Sequence, residues 1–174
     1  MELKLGKCKL YIFDLEGTLI HIPVDWGEVD QRLETLMGIP PKPYQKNISV
    51  LPIKEKMKAF RIVDYWERKA FKNASINYRG VQYLKKVSKE CPVVIATLSG
   101  RAITKRSLKR LKITNNVSMV ITRNDKYPRN KQLKYILNMY KLSPDEVIFV
   151  GDRDMDLLAA NHAKCNYKDV SELG

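Results

Sequence analysis

Tyr11-Ile12-Phe13-Asp14-Leu15-Glu16-Gly17-Thr18-Leu19 runs an apolar, strand-length segment into two carboxylates and then into a Gly-Thr turn suited to cradling a phosphate. A second stretch of the same build, Val147-Ile148-Phe149-Val150-Gly151-Asp152-Arg153-Asp154-Met155-Asp156, adds up to three more carboxylates. Acidic side chains at strand ends repel one another and are costly to desolvate unless a cation sits between them. Their convergence argues for a bound hard metal ion and for metal-assisted chemistry on phosphate.

Working outward, apolar runs at 9–13, 93–97, 117–121 and 147–150 are strand-length and continuous rather than alternating, as in strands buried on both faces. Helical patterns lie between them. Tyr83, Leu84 and Val87 are read as beginning one; Ile103 to Leu111 forms another; Leu133, Ile136, Leu137 and Tyr140 make a third, with Pro128 suited to its first turn. A last helix is expected from Asp154 to Ala163, followed by a short strand near Cys165 to Tyr167. Strands alternating with helices predict an α/β fold, a parallel sheet joined by right-handed crossovers and covered on both faces. Residues 21–78 break the alternation. Val29, Leu33 and Leu36 recur at helical spacing, a proline-rich loop follows at Pro40-Pro41-Lys42-Pro43, and Ile53, Met57, Phe60, Val63 and Ala70 mark a longer helix.

The DxEGTL pattern at 14–19, GDxxxD at 151–156 and the strand-then-hydroxyl stretch Val93-Val94-Ile95-Ala96-Thr97 between them resemble the haloacid dehalogenase (HAD) superfamily of phosphohydrolases. The resemblance covers the first 20 residues and the stretch from about 79 onward. It implies a HAD-like Rossmannoid sheet of order 3-2-1-4-5, with Asp14, Thr97 and Asp152 meeting at the switch point beside the first strand. Residues 1–20 and 79–174 are then the core, and 21–78 look like a small helical cap over the site.

The same resemblance implies roles. Asp14 is the expected nucleophile, attacking phosphorus to form an aspartyl-phosphate, with Mg²⁺ held by Asp14, the backbone carbonyl of Glu16 and Asp152. Glu16 stands where most phosphatases of the superfamily carry Asp, and is expected to act as general acid and then general base, as the DxEGT pattern of the enolase-phosphatase branch allows. Gly17 and Thr18 are expected to point backbone N–H groups at the phosphate. Thr97 is expected to donate its hydroxyl there, with Ser99, beside Gly100, as a competing donor. The active-site lysine is either Lys126, just before Pro128, or Lys131. Asp156 is expected to hold a metal-bound water or to orient that lysine. Asp154 reads as a first-turn helix acid. Asp152, Asp154 and Asp156 also imitate the start of an EF-hand loop, but Leu157 stands where its glycine belongs and Ala163 where its glutamate does.

Composition bounds the function. A chain of 174 residues can bury one good core plus an insertion, and its apolar stretches are too short to span a bilayer. The beginning, Met1 to Gly6, leads straight into the first strand with no room for a signal peptide, which suggests a cytoplasmic protein. Cys8, Cys91 and Cys165 are odd in number and widely spaced, so zinc and disulfide readings are poor. Of the net charge of +13, residues 21–78 carry +3 and the remainder +10. The basic run Arg101, Lys105, Arg106, Lys109, Arg110, Lys112 reads as a solvated helix face, without the aromatic interleaving that nucleic-acid binding favours. The expectation is a Mg²⁺-dependent phosphomonoester hydrolase acting on a small phosphorylated metabolite. Its rivals are a phosphotransferase or phosphomutase on the same site, and a catalytically weak, basic nucleic-acid-binding protein.

Overall fold

The computed structural model describes residues 8–173. The reading of Met1 to Gly6 lies outside the described residues. In chain order the elements are β1 (Leu10–Phe13), β2 (Ile20–His21), α1 (Trp26–Met37), α2 (Tyr44–Ser49), α3 (Ile53–Ala70), β3 (Ser75–Ile76), α4 (Tyr78–Val87) and β4 (Val93–Ala96). There follow α5 (Arg101–Leu111), β5 (Met119–Ile121), α6 (Arg129–Tyr140), β6 (Val147–Gly151), α7 (Asp154–Ala163) and β7 (Asn166–Asp169).

The main sheet has the order β5-β4-β1-β6-β7 with every pairing parallel. Counting only its own strands, this is the expected 3-2-1-4-5. The continuous apolar runs have a simple cause, because alternate residues of each strand enter different cores. Tyr11, Phe13, Val93, Ile95, Ile148 and Val150 pack with α4 and α5 on one face. Leu10, Ile12, Val94, Ala96, Val147 and Phe149 pack with α6 and α7 on the other.

Three expectations need correction. Tyr83, Leu84 and Val87 close a helix rather than begin one; Asn77 caps it through the Gly80 amide (3.3 Å), and its buried stripe is Gly80, Val81, Leu84 and Val87. The proline-rich loop of the insert leads into a further short helix, α2, before the long one, and its Ile48 joins Val29, Leu33, Ala59, Phe60 and Val63 in a separate hydrophobic cluster. The stem of the insert is an antiparallel ribbon, with Ile20 opposite Ile76 and His21 opposite Ser75. Strands of two residues are too short to show a periodicity.

The basic run on α5 is exposed throughout, as expected, but half of it has protein partners. Arg101 pairs with Asp125 at 2.5 Å, Arg106 stacks on Phe71, and Arg110 donates to the carbonyls of Phe71 and Ala74. Among the described residues no helix is long and apolar enough to cross a membrane.

Gly80 lets α4 approach the first motif, since a Cβ there would meet the Thr18 carbonyl at 2.3 Å. Gly80→Ala is expected to lower stability by about 1–3 kcal/mol, as overpacking does, even though alanine favours a helix interior by roughly 1 kcal/mol. A denaturant titration checks this; a more stable variant would contradict the close approach.

Candidate active site

Phe13 pairs with Val150 in the sheet, and the Asp14 amide donates to the Val150 carbonyl at 2.9 Å. The chain leaving β1 and the chain leaving β6 therefore emerge side by side, carrying Asp14 and Asp152. Asp156 comes from the first turn of α7, behind Asp154, which is the expected first-turn acid. Carboxylate oxygens of Asp14, Asp152 and Asp156 lie within 4.8 Å of one another. Burial pushes the Asp156 carboxyl up to about 7, with the charge of Asp14 adding to the effect and Arg129 opposing it. Asp152 is raised by the same two causes and restrained by the Thr18 hydroxyl. Oδ2 of Asp156 is buried without a hydrogen-bond partner. A compact all-oxygen donor set with an uncompensated buried carboxylate fits a hard divalent cation such as Mg²⁺.

The positive charge at this site is an arginine. Arg129, only 3% exposed, places Nη2 2.7 Å from Asp14 Oδ1 and Nε 3.3 Å from Asp156 Oδ1, while Nη1 donates to the Ala96 carbonyl and to Gln132 Oε1. Both candidate lysines are exposed, and Lys126 Nζ lies 4.7 Å from the centre of the Tyr135 ring. Neither reaches the carboxylates. A signal was present in the sequence: Arg129 precedes Leu133 by four residues and Ile136 by seven, on the buried stripe of α6, whereas Lys131 is turned about 200° away from it. Asp156 accordingly orients an arginine rather than a lysine.

Glu16 is held on both carboxylate oxygens. Oε1 faces His21 Nδ1 at 3.1 Å and accepts from the Ile22 amide at 3.3 Å; Oε2 pairs with Arg153, whose Nε also lies 3.5 Å from Asp152. Burial raises the Glu16 carboxyl above its ordinary value against the pull of Arg153. Its side chain stays out of the three-carboxylate cluster, which leaves the backbone carbonyl as its expected metal donor.

The phosphate-binding expectations divide. Gly17 has φ +87°, and a Cβ on it would meet Asp152 Oδ2 at 2.1 Å, so only glycine fits. Its amide, however, donates to the Ile20 carbonyl at 2.9 Å and is not aimed at a ligand. The Thr18 hydroxyl donates to Asp152 Oδ1 at 2.8 Å. Thr97 and Ser99 both line the cavity above Asp14, and the Thr97 oxygen accepts from the Ser99 amide at 3.0 Å. Gly100 has a different role, since its amide donates to Glu67 Oε2 at 3.2 Å and a Cβ there would strike Asp64.

That contact belongs to a network the sequence reading missed. Arg123, 4% exposed in the loop after β5, donates to both oxygens of Glu67 (2.9 and 2.8 Å), to Asp64 and to the Leu98 carbonyl (2.6 Å). It clamps α3 onto the main sheet's loops. Glu67 itself was the signal, because it falls four residues after Val63 and seven after Phe60, on the apolar stripe where a charge requires a partner. Between the insert and the carboxylates lies a cavity of about 640 Å³.

Removing one partner of a buried ionic network leaves uncompensated charge. Arg129→Met is expected to cost about 3–5 kcal/mol of stability in denaturant titration. Lys126→Ala and Lys131→Ala should each stay within about 0.5 kcal/mol, as exposed changes do. A large loss from either lysine variant would contradict the assignment.

No curated protein sequence matches the chain. Solved structures do resemble it in fold. A haloacid dehalogenase-like family protein from Streptococcus pneumoniae aligns over 92% of this chain and 83% of its own at 19% identity and TM-score 0.61. A proposed phosphoglycolate phosphatase from Lactobacillus plantarum aligns over 94% and 86% at 16% identity and TM-score 0.69. A proposed beta-phosphoglucomutase from Thermotoga maritima aligns over 90% and 82% at 18% identity and TM-score 0.60. The sequence profile of the haloacid dehalogenase-like hydrolases matches residues 25–170, which includes residues 25–78 of the insert, a stretch outside the motif resemblance. On that match, spanning most of the chain, the protein belongs to the haloacid dehalogenase-like hydrolase family.

Proposed function

We propose that this hydrolase cleaves phosphate monoesters through a phosphorylated Asp14, with Mg²⁺ as cofactor. The observation that carries the reading is the cluster of Asp14, Asp152 and Asp156, two of them paired with Arg129, at the floor of a cavity open to solvent on one side. Asp14, Asp152 and Asp156, with the Glu16 backbone carbonyl, would hold the ion; when bound it supplies the charge that offsets repulsion between the phosphate dianion and Asp14.

Asp14 Oδ1 already accepts from the Leu15 amide (2.7 Å) and from Arg129, which leaves Oδ2 to attack phosphorus. Arg129 holds that carboxylate in position and spreads positive charge beneath the phosphoryl group. Thr97 and Ser99 offer hydroxyls to its oxygens. Glu16, whose burial favours the protonated form, gives a proton to the leaving alkoxide and then takes one from water attacking the aspartyl-phosphate. Turnover requires one Glu16 oxygen to part from Arg153 or His21. Residues 21–78 act as a cap that selects a small phosphorylated substrate, over a core of residues 1–20 and 79–174. The three free cysteines accord with a reducing, cytoplasmic setting. Transfer to a second hydroxyl rather than water would use the same floor, and acceptor alcohols added to the assay separate the two.

Nitrophenyl phosphate should be hydrolysed with Mg²⁺, lost with EDTA and inhibited by Ca²⁺, whose looser coordination fits in-line transfer poorly. Asp14→Asn should abolish turnover; undiminished release of nitrophenol would remove Asp14 as nucleophile. Glu16→Gln is expected to slow alkyl esters by about 10² to 10⁴. With nitrophenyl phosphate, whose leaving group needs no proton, phosphoenzyme should accumulate, as acid-quench labelling would show. Equal rates for mutant and wild type on both ester types would move the acid/base role elsewhere.

A further inference from the structure

We infer that the substrate's leaving group is a bulky apolar alcohol rather than a sugar or another polyol. This deepens the phosphatase reading and rests on it. A phosphoryl group on Asp14 fills only the floor of the 640 Å³ cavity. Above it the wall is built by Ile22, Val24, Trp26, Ile48, Phe60 and Val63, from the segment between β2 and α1 and from the insert helices.

Most of the polar groups interspersed there are already engaged. The Tyr127 hydroxyl donates to the Tyr44 carbonyl at 3.1 Å, and the Tyr44 hydroxyl donates to Asp30. Gln45 Oε1 accepts from the Arg129 amide at 2.9 Å. Lys42 pairs with Asp30 at 2.9 Å, and both oxygens of Glu67 hold Arg123. A polyol entering this space would exchange water for largely apolar walls, whose open donors are the Trp26 indole N–H, the Gln45 amide N–H and the Lys42 ammonium, at a loss of roughly five- to a hundredfold in affinity for each buried hydroxyl that meets none of them. An apolar chain gains about fourfold per buried methylene. A second feature points the same way. Trp26 is 39% exposed and Met155 49% exposed at the cavity wall, large apolar surfaces that a hydrophobic ligand would cover.

The test is kcat/KM with Mg²⁺ for butyl, hexyl, octyl and phenylpropyl phosphates, below any micelle formation, against the primary phosphate esters of glycerol and of glucose (its hydroxymethyl ester). All are esters of primary alcohols, and the polyols are the slightly better leaving groups, so chemistry alone favours them. The expected result is a rise from butyl to octyl and a preference for octyl over glycerol phosphate of about thirtyfold or more, expressed mainly in KM. Trp26→Ser should shrink that ratio. Hydrolysis of nitrophenyl phosphate with no chain-length dependence, or with the polyol esters preferred, overturns the inference and leaves the phosphatase reading standing. Failure to hydrolyse any ester, nitrophenyl phosphate included, overturns both.

Discussion

The guanidinium of Arg129, buried against the carboxylates of Asp14 and Asp156, is what permits the strand ends to converge. Taking an ion out of water costs several kcal/mol even after relaxation, and three like charges within one pocket add mutual repulsion. A planar guanidinium answers this better than an ammonium, because its fork reaches Asp14, Asp156, Gln132 and the Ala96 carbonyl at once. It thereby ties the ends of β1 and β4 and the start of α7 to the first turn of α6. The residual imbalance remains visible in the raised carboxyl of Asp156 and its unpartnered oxygen, which a divalent cation would relieve.

A second buried arginine repeats the logic at the join between insert and core. Arg123 brings Glu67 and Asp64 of α3 against the Leu98–Gly100 loop, close enough that a Cβ at position 100 would displace the Asp64 carboxylate. Tyr127 completes the contact by packing against Phe60, with ring centroids 5.2 Å apart. Charge fixes the insert's position, while Ile48, Phe60 and Val63 of its apolar cluster face the cavity. On the proposed reading the two jobs of the site are thereby divided: residues at strand ends supply charge and proton transfer, and helices of the insert supply shape and hydrophobicity.

Much of the fold was legible because its signals are local. A buried parallel strand writes four or five apolar residues in a row, a catalytic turn writes Asp-x-Glu-Gly-Thr, and each survives as a word in the sequence; the order of the sheet then followed from the resemblance those words carried. Asp14, Asp152 and Asp156 were identified in this way, and they converge. The helix ending at Val87 was misplaced because its start, Tyr78-Arg79-Gly80, carries little apolar signal before Val81, and its glycine is there for contact with Thr18 rather than for helix propensity.

What the tertiary structure decided is which partners the inward-facing charges meet. Lys126, Arg129 and Lys131 are all basic and within five residues of one another, so composition could not choose among them; the apolar stripe of α6 marks Arg129 as inward-facing, and the packing of α6 against the sheet brings it to Asp14 and Asp156 while both lysines stay in solvent. Gly17 and Gly100 likewise had the right residue type, but whether their amides met a phosphate or another part of the chain depended on neighbours more than 30 residues distant for Gly100 and on the turn's own closure for Gly17. The sequence by itself determined the sheet, its acidic strand ends and the class of chemistry they suit, because those depend on residue type and short-range order. The tertiary structure decided the counter-charge, the clamp on the insert and the apolar character of the cavity, because each depends on groups far apart in the chain becoming buried against one another.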